Sequence, residues 1–354
     1  MTIFERIIRP ALFLLDPEQA HYLAIMLLKA NLVPPAKMNY EPILDSVVWG
    51  QRFNNPIGLA AGFDKNATAI TNLCKLGFGF IETGTATPRA QPGNPGPRMF
   101  RLSEDDAIIN RLGFNNEGQG LYGKRLQYFK KKGLNTVVGA NIGKNKDSID
   151  AASDYVMGVR SVAEFADYIV VNISSPNTPG LRELQIESNL ERLIAAVLEE
   201  REKSPQQPPI ILKIAPDLED QGIRQIADCA GRFNIDGFIA TNTTTERLSS
   251  LRSNNKTMQG GLSGRPLMAK STSVLKLLYQ HTGGNIPIIG VGGVFTGEDA
   301  YLKIRSGASL VQIYSALIYR GPYAAVRINS ELGILLKRDG FENIQEAIGV
   351  DVPL

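Results

Sequence analysis

The 354-residue chain is predicted to fold as an α/β protein, a (β/α)8 TIM barrel preceded by a small N-terminal helical hairpin. Eight short apolar segments, most of them rich in β-branched residues, recur along the chain, as expected for parallel strands that are buried on both faces. Helical segments lie between most of these strands, and nearly every strand ends in a cluster of polar residues or glycines. A doubly wound open sheet is the alternative.

The first part of the chain, residues 1–40, is interpreted as a helical prefix to a barrel domain of residues 41–354. Asp16 is suited to cap a helix that begins at Pro17, and Val33-Pro34-Pro35 stops that helix. No apolar run approaches the roughly 20 residues that span a bilayer. From the pattern alone, the prefix either covers the bottom of the barrel or lies in a membrane surface and admits an apolar ligand.

Eight strands and at least four of the intervening helices can be placed. The predicted strands are 57–60, 80–83, 137–141, 168–172, 210–214, 237–241, 287–291 and 310–314, and the predicted helices are 151–165, 190–203, 219–232 and 273–280. Functional groups of barrel enzymes gather at the C-terminal ends of the strands. The residues that follow each strand are therefore the candidates for a site.

Composition excludes some classes of function. The net charge of +3 is spread along the chain without a basic block, so nucleic acid is not an implied partner. Cys74 and Cys229 are isolated and far apart, and they offer neither a disulfide framework nor the spacing of metal ligands. No metal site is predicted.

A glycine pair after the seventh strand, Gly292-Gly293, suggests a phosphate-bearing cofactor. Tyr314-Ser315 follows the eighth strand, and a glycine-rich segment, 260–264, lies upstream. Glycines let backbone amides approach an anion, and the N-terminus of a following helix adds a favourable dipole. The alternative is that these glycines only form turns.

The strand ends are rich in asparagine and carry two lysines. The asparagine set comprises Asn110, Asn141, Asn172, Asn177 and Asn242. Uncharged amides both donate and accept hydrogen bonds, which suits a pyrimidine or isoalloxazine edge, although single asparagines often serve turns and caps. Lys65 and Lys213 would be costly there without a counter-charge, which either an anionic ligand or an internal ion pair supplies.

The loop Ser174-Ser175-Pro176-Asn177-Thr178 could hold a nucleophile or a base. A serine is usually activated by histidine, but His21 lies in the prefix and His281 precedes the seventh strand. A Ser–His hydrolase is therefore disfavoured. A serine could still accept a proton if its own proton left through a hydroxyl or water, and Thr178 is the candidate relay.

Seven ordered motifs resemble the second, quinone-linked class of the dihydroorotate dehydrogenase family. They are residues 58–66 (GLAAGFDKN), 110–116 (NRLGFNN), 171–178 (VNISSPNT), 213–217 (KIAPD), 240–244 (ATNTT), 260–267 (GGLSGRPL) and 311–315 (VQIYS). The resemblance covers essentially the whole chain, and residues 16–21 of the prefix match an element of that class. Phe63, where many relatives carry Leu or Val, is a mild departure.

The resemblance implies that the chain oxidises (S)-dihydroorotate to orotate with FMN, in de novo pyrimidine (UMP) biosynthesis. Ser175 would remove the proton from C5 while a hydride leaves C6 for flavin N5. The implied substrate residues are Lys65, Asn110, Arg111, Leu112, Gly113, Phe114, Asn172, Asn177, Asn242 and Thr243. The implied FMN residues are Ala61, Gly62, Lys65, Thr85, Asn141, Asn172, Lys213, Thr241, Gly264, Gly293, Tyr314 and Ser315.

The serine at 175, where the first class of the family has a cysteine, favours the second class, which returns electrons to a membrane quinone. The resemblance therefore implies that the prefix contacts a membrane surface and leads quinone to the barrel, with His21 and Arg101 along the route. It also implies a monomer. Because no transit segment is recognised, we expect a peripheral protein on the cytoplasmic side of a bacterial inner membrane.

Two other hypotheses stand beside this one. A phosphate-binding barrel isomerase without flavin would share the glycine pair, but it has no use for the asparagine set or an apolar prefix. A non-enzymatic membrane-surface protein would use the prefix as an interaction helix, but it has no use for Lys, Ser and Asn clusters at strand ends.

Overall fold

The computed structural model describes residues 2–37 and 40–353. Its strands are β1 (Ser46–Val48), β2 (Gln51–Phe53), β3 (Ile57–Leu59), β4 (Phe80–Ala86), β5 (Met99–Leu102), β6 (Ala107–Asn110), β7 (Val137–Ile142), β8 (Tyr168–Asn172), β9 (Ile210–Ile214), β10 (Gly237–Ala240), β11 (Gly261–Gly264), β12 (Ile288–Val291) and β13 (Leu310–Ile313). Its α-helices are α1 (Arg9–Phe13), α2 (Pro17–Lys29), α3 (Ile70–Leu73), α4 (Gln119–Lys131), α5 (Ala151–Val162), α6 (Glu187–Glu202), α7 (Asp220–Arg232), α8 (Met268–His281), α9 (Gly297–Arg305), α10 (Ser315–Arg320) and α11 (Ala324–Arg338).

Eight parallel strands close into a barrel in the order β3, β4, β7, β8, β9, β10, β12 and β13, and β13 pairs back with β3. The predicted (β/α)8 barrel is confirmed, and the closed order excludes the open sheet. Every predicted strand is present with its start within one residue of the prediction, while β4 continues to Ala86. Most barrel strands are fully buried, which explains their apolar runs.

The N-terminal end of the barrel is closed by the hairpin β1–β2, which the sequence analysis did not predict. Trp49 Nε1 donates a hydrogen bond to the Asp236 carbonyl at 2.7 Å, just before β10. The Phe53 ring packs edge-on against Phe80 of β4, with centroids 5.6 Å apart, and both side chains are fully buried. The hairpin therefore occupies the bottom of the barrel and closes that end.

The prefix begins with a π-helical turn, Phe4–Ile8, that leads into α1, and α2 follows. As predicted, Asp16 caps α2, because its side chain accepts from the amides of Glu18 and Gln19, and Pro17 is the first helical residue. No helix in the described ranges is long and apolar enough to cross a membrane.

The prefix does not cover the bottom of the barrel. It packs at the opposite end, beside the mouth formed by the loops. Arg98, just before β5, forms an ion pair with Glu18 at 2.7 Å, and the His21 ring lies 5.2 Å from the Phe63 ring in the loop after β3. This position follows from the small antiparallel sheet β5–β6–β11 at the mouth, because Arg101 in β5 and Arg98 just before it anchor the prefix.

Candidate active site

A cleft of about 1050 Å³, including its open mouth, lies at the C-terminal ends of the barrel strands. Most of the predicted site residues line it: Ala61, Gly62, Lys65, Thr85, Asn110, Leu112, Gly113, Phe114, Asn172, Ser175, Asn177, Lys213, Thr241, Asn242, Thr243, Gly264, Gly293, Tyr314 and Ser315.

Four predicted residues do not line the cleft: Asn141, Arg111, His21 and Arg101. Asn141 is fully buried directly behind the lining. The guanidinium of Arg111 donates to the Pro97 carbonyl at 2.8 Å and lies over the Phe100 ring at 5.3 Å. Its side chain is therefore engaged outside the cleft, and only its backbone belongs to the segment that forms the cleft wall.

Hydrogen bonds join the asparagines of the cleft floor into one network. Asn172 Nδ2 donates to Thr85 Oγ1 at 3.1 Å and to Asn141 Oδ1 at 3.2 Å. Asn172 Oδ1 accepts from Ser174 Oγ at 2.9 Å, and Asn242 Nδ2 donates to the same hydroxyl at 2.9 Å. The amides therefore present fixed donor and acceptor faces, and the interpretation of these asparagines as simple turn residues is wrong for this set.

Ser175 follows β8 in the loop that faces the cleft, and its side chain is 6% exposed. Its Oγ accepts a hydrogen bond from the Asn177 amide at 3.3 Å. Thr178 Oγ1, three residues on, is buried and has no hydrogen-bond partner within the described ranges. As the sequence suggested, His281 is remote from this loop, because its ring pairs with Asp228 on the outer helix α7 at 2.7 Å.

Arg182 holds this loop in place, a role that the sequence analysis did not assign. Its Nε donates to the Ser174 carbonyl at 3.1 Å, and its Nη2 donates to the Thr243 carbonyl at 3.1 Å. Its Nη1 forms an ion pair with Asp217 at 2.9 Å. Although burial opposes it, the hydrogen bonds that Asp217 accepts from neighbours, Arg182 included, lower the pKa of this carboxyl to about 2. The charge on Asp217 therefore persists, and Arg182 ties the loop after β8 to the loop after β10.

The glycine pair Gly292-Gly293 forms part of the cleft wall after β12. Gly293 has φ +82°, and a Cβ there would lie 2.5 Å from Met268 Cα, so no other residue fits without a shift of the backbone. The approach of Met268 thus requires this glycine, and both glycines line the cleft where a phosphate was predicted. Tyr314 lies beside it, and burial raises the pKa of its phenol to about 12, so the hydroxyl stays protonated.

The helix after this pair, α9, does not add a free N-terminus to the site. Thr296 and Asp299 form a capping box, in which the Thr296 amide donates to Asp299 Oδ2 at 2.9 Å. The Gly297 amide donates to Glu331 Oε2 at 2.6 Å. Carboxylates therefore already accept from these two amides of α9. The helix that begins in the cleft lining is α10, at Ser315. A favourable helix N-terminus beside the phosphate stays a prediction.

Electrostatics of the cleft come from two lysines. No Asp or Glu lines the cleft within the described residues, whereas Lys65 and Lys213 both do. Lys213 forms a buried ion pair with Glu82 at 3.3 Å, so its internal counter-charge is present. Burial, and then the nearby charge of Arg98, lowers the pKa of Lys65 to about 8, although Glu18 opposes the shift. Lys213 therefore has an internal counter-ion, whereas Lys65 forms no ion pair with a carboxylate of the described residues.

Glu82 is the main residue that the sequence analysis missed. Its side chain is fully buried in β4. The signal was a carboxylate in an otherwise apolar, β-branched segment, where a charge needs a partner. Other lining residues were not assigned either. Val294 and Phe295 lie outside the motifs, whereas three lie inside them and were passed over: Asn115, Leu267 and Gln312.

His21 and Arg101 lie at the junction of prefix and barrel. The His21 ring meets the Phe63 ring edge-on, and Phe63 in turn meets Tyr314, with centroids 6.4 Å apart, at the cleft wall. Burial, and then the Lys65 charge, lowers the pKa of His21 to about 3, so the ring is neutral. A chain of rings therefore connects the prefix to the cleft.

Arg101 attaches the prefix from the other side. Its Nη1 donates to the carbonyls of Phe13 and Leu15, at 3.2 and 2.8 Å. Its guanidinium also lies 4.5 Å over the Phe13 ring, and that ring packs edge-on against Tyr319 at 5.6 Å. Arg101 thus fixes the end of α1 beside α10.

Comparison with known proteins identifies the family. The profile of the family described as dihydroorotate dehydrogenase matches residues 43–336. A protein of Xanthobacter autotrophicus named dihydroorotate dehydrogenase (quinone) is 50% identical over 351 residues, covering 98% of each chain. The mitochondrial protein of that name from Mus musculus is 50% identical over 345 residues, covering 96% of this chain and 87% of the mouse protein.

A solved structure agrees with this result. The crystal structure of the enzyme from Eimeria tenella in complex with ferulenol superimposes with a TM-score of 0.93 and 46% identity, covering 95% of this chain and 96% of that one. Family match, identity and fold coincide over nearly the whole length. The chain therefore belongs to the dihydroorotate dehydrogenase family and is an oxidoreductase, as its ordered motifs predicted.

Proposed function

We propose that this enzyme oxidises (S)-dihydroorotate to orotate with a bound FMN and passes the electrons to a membrane quinone, as a step of de novo pyrimidine (UMP) biosynthesis. The lining of the cleft carries the proposal. It consists of amides, hydroxyls, glycines and two ammonium groups, without a carboxylate among the described residues. The carboxylate of the substrate and the phosphate of FMN are both anions, and the asparagines match the polar edges of both rings.

The cleft suits FMN in shape and chemistry. The bare backbone at Gly293 fits a phosphate, and Lys213 and Asn172 fit the polar edge of the ring. FMN held there would supply the redox chemistry, as acceptor of a hydride from the substrate and donor of electrons to the quinone. The residues proposed to hold it are Ala61, Gly62, Lys65, Thr85, Asn141, Asn172, Lys213, Thr241, Gly264, Gly293, Tyr314 and Ser315.

The substrate is proposed to lie between Lys65 and the asparagines. The Lys65 ammonium pairs with the carboxylate of dihydroorotate, a charge-assisted contact. Asn177 Nδ2 donates to the Asn110 carbonyl at 3.1 Å, which closes the wall around the pyrimidine edge. The proposed contacts come from Asn110 to Phe114, Asn172, Asn177, Asn242 and Thr243, with residue 111 contributing through its backbone.

Ser175 is proposed to take the proton from C5. Its hydroxyl faces the cleft, and the amide of Asn177 orients it. The proton that Ser175 releases needs an acceptor, and the buried, unpartnered Oγ1 of Thr178 supports a path through this hydroxyl and water.

Substitution of Ser175 by alanine tests the central chemistry. We expect Ser175→Ala to keep bound FMN and to lose turnover by about 10²-fold or more, because a positioned base is removed. Ser273→Ala, on the exposed face of α8, is the matched control and should behave as the wild type. Near-normal turnover of Ser175→Ala would refute the assigned role.

The prefix, residues 1–40, is proposed to lie on a membrane surface and to lead quinone to the cleft. Many of its large apolar side chains are exposed, among them Ile7 at 66%, Leu14 at 89% and Met26 at 60%. His21 and Arg101 stand where the prefix meets the barrel, and His21 begins the chain of rings that reaches the cleft. The apolar face and this junction together support a route for an apolar acceptor.

Vesicle binding tests the membrane part of the proposal. We expect Leu14→Glu to weaken co-sedimentation with phospholipid vesicles and turnover with a long-chain quinone, while turnover with a soluble dye is kept. Ile149→Glu, fully exposed on the barrel, is the control. Equal vesicle binding by both variants would contradict membrane contact through the prefix. A monomer at the cytoplasmic side of a bacterial inner membrane completes the proposal.

A further inference from the structure

Glu82 lies in β4, directly behind the part of the cleft wall that Lys213 forms. Its side chain has no exposed surface. Three donors meet its two oxygens: Asn141 Nδ2 at 2.7 Å and Lys213 Nζ at 3.3 Å on Oε1, and Gln312 Nε2 at 2.6 Å on Oε2. Lys213 and Gln312 line the cleft. This set of donors matches a carboxylate, which only accepts.

We propose that Glu82 is a positioning residue for the redox reaction, which sets the reduction potential of the bound flavin by acting as counter-ion to Lys213. The inference rests on the FMN site proposed above. Glu82 does not line the cleft, and it acts through Lys213 and through the amides that it orients.

Glu82 changes the net charge beside the cofactor site, because it pairs with Lys213. Reduction adds negative charge to a bound flavin, and a lone ammonium beside it would favour that charge strongly at low dielectric. Because Glu82 lies 3.3 Å from the ammonium of Lys213, the pair is neutral as a unit. The carboxylate therefore keeps the flavin a weaker oxidant than Lys213 alone would make it, which favours onward transfer of electrons to the acceptor.

Glu82 also sets the direction of the hydrogen bonds in the asparagine network. Because Asn141 Nδ2 donates to Glu82, its Oδ1 must face the cleft side, where Thr85 Oγ1 and Asn172 Nδ2 donate to it. This fixes Asn172 Oδ1 as the acceptor from Ser174 Oγ. One buried carboxylate thus determines which faces of these amides donate and which accept.

Glu82→Gln removes the negative charge of this side chain with little change in its shape. Gln312 Oε1 is buried and has no partner within the described ranges. A rotated Gln312 amide could therefore accept from a glutamine Nε2 at position 82, and the Asn141 bond to Oε1 would remain. Of the contacts of Glu82, only the ion pair with Lys213 would be lost.

The test compares wild type, Glu82→Gln and Glu200→Gln as purified holoproteins. Glu200 is also buried, 6% exposed, and pairs with Arg160 at 2.7 Å on the outer helix α6, so it is a matched control. Anaerobic equilibration with a reference dye of known potential gives the midpoint potential of the flavin, with flavin content and thermal unfolding measured alongside.

We expect the ratio of reduced to oxidised flavin at a fixed dye potential to rise by about tenfold or more in Glu82→Gln, and to be unchanged in Glu200→Gln. An unchanged ratio in flavin-loaded Glu82→Gln would overturn the inference. A wild-type protein that takes up no FMN would instead refute the proposed function.

A second pair of variants covers the case in which Glu82→Gln loses its flavin. Lys213→Gln leaves the carboxylate alone beside the cleft, whereas the double variant with Glu82→Gln carries neither charge. We expect the flavin of the double variant to have a higher potential than that of Lys213→Gln. Equal potentials in the two would contradict an electrostatic role for Glu82.

Discussion

Lys65 and Lys213 line the same cleft, but the chain surrounds them differently. Lys213 is paired inside the barrel, 3.3 Å from the fully buried Glu82. In the described part of the chain, no carboxylate oxygen lies within 4.0 Å of Lys65, and the nearby Glu18 is already paired with Arg98 at 2.7 Å. Lys65 is therefore available to a ligand carboxylate. Lys213 would contact the cofactor as one partner of an ion pair with Glu82.

This difference shows how one residue type at equivalent places serves two purposes. A buried ion pair is costly to break, because removal of one partner leaves the other unpaired. A buried ammonium without a counter-charge instead loses its proton at a lower pH, and burial lowers the pKa of Lys65 to about 8. Substitution of Lys213 should therefore affect stability and cofactor binding, and substitution of Lys65 should affect substrate binding and its pH dependence.

The largest expected effect is on folding. Lys213→Met leaves the Glu82 carboxylate buried without its cation, and we expect the free energy of unfolding to fall by about 3–5 kcal/mol, together with weaker FMN retention. Lys65→Met breaks no ion pair and should leave stability unchanged or slightly higher. Urea unfolding and flavin content measure both, and equal losses of stability would remove the distinction between the two lysines.

The next effect is on substrate binding. Lys65→Met should raise KM for dihydroorotate by about 10- to 100-fold, because a hydrogen bond to a charged group contributes about 1.5–3 kcal/mol. Flavin content should change less than KM. Steady-state kinetics with saturating acceptor give the value, and an unchanged KM would exclude Lys65 as the partner of the substrate carboxylate.

The pH dependence sharpens the same point. Lys65 is cationic below its pKa of about 8 and loses its charge above it, so kcat/KM, which reports the free enzyme, should fall as pH rises through about 8. Lys65→Arg should flatten this limb, because a guanidinium stays charged. A limb that persists in Lys65→Arg would assign it to another group.

The smallest effect concerns the prefix. The negative charge of Glu18 raises the pKa of Lys65, so Glu18→Gln should move the alkaline limb to lower pH, by less than about one unit for a partly exposed pair. Glu5→Gln, elsewhere in the prefix, is the control. A limb that moves upward, or equally in both variants, would contradict coupling between α2 and the cleft.

Much of the fold could be predicted because the barrel strands are nearly uniform apolar runs. Such runs are typical of parallel strands that are buried on both faces. The position of the prefix could not be predicted. Its capping residues Asp16 and Pro17 specify a helix but not the surface on which it packs. That surface depends on Arg98 and Arg101, which are some 80 residues away in the sequence. The hairpin at the bottom was missed because its strands have three residues each.

Most lining residues of the cleft were predictable from motifs at the strand ends, because parallel strands bring these ends together. Glu82 was not, since its partner Lys213 is 131 residues away and nothing local shows that the two meet. Arg111 was assigned with its motif, but the adjacent Pro97 carbonyl and Phe100 ring bind its side chain outside the cleft. Position within a motif does not specify where a long side chain points.

One anaerobic experiment tests the proposed substrate, cofactor and electron acceptor together. The purified protein, supplied with FMN, is mixed with dihydroorotate while flavin absorbance is followed, and a short-chain quinone is then added. We expect loss of absorbance on addition of dihydroorotate and its recovery on addition of quinone, as the proposed function requires. A protein that takes up no FMN, or whose flavin absorbance does not change with dihydroorotate, would contradict it.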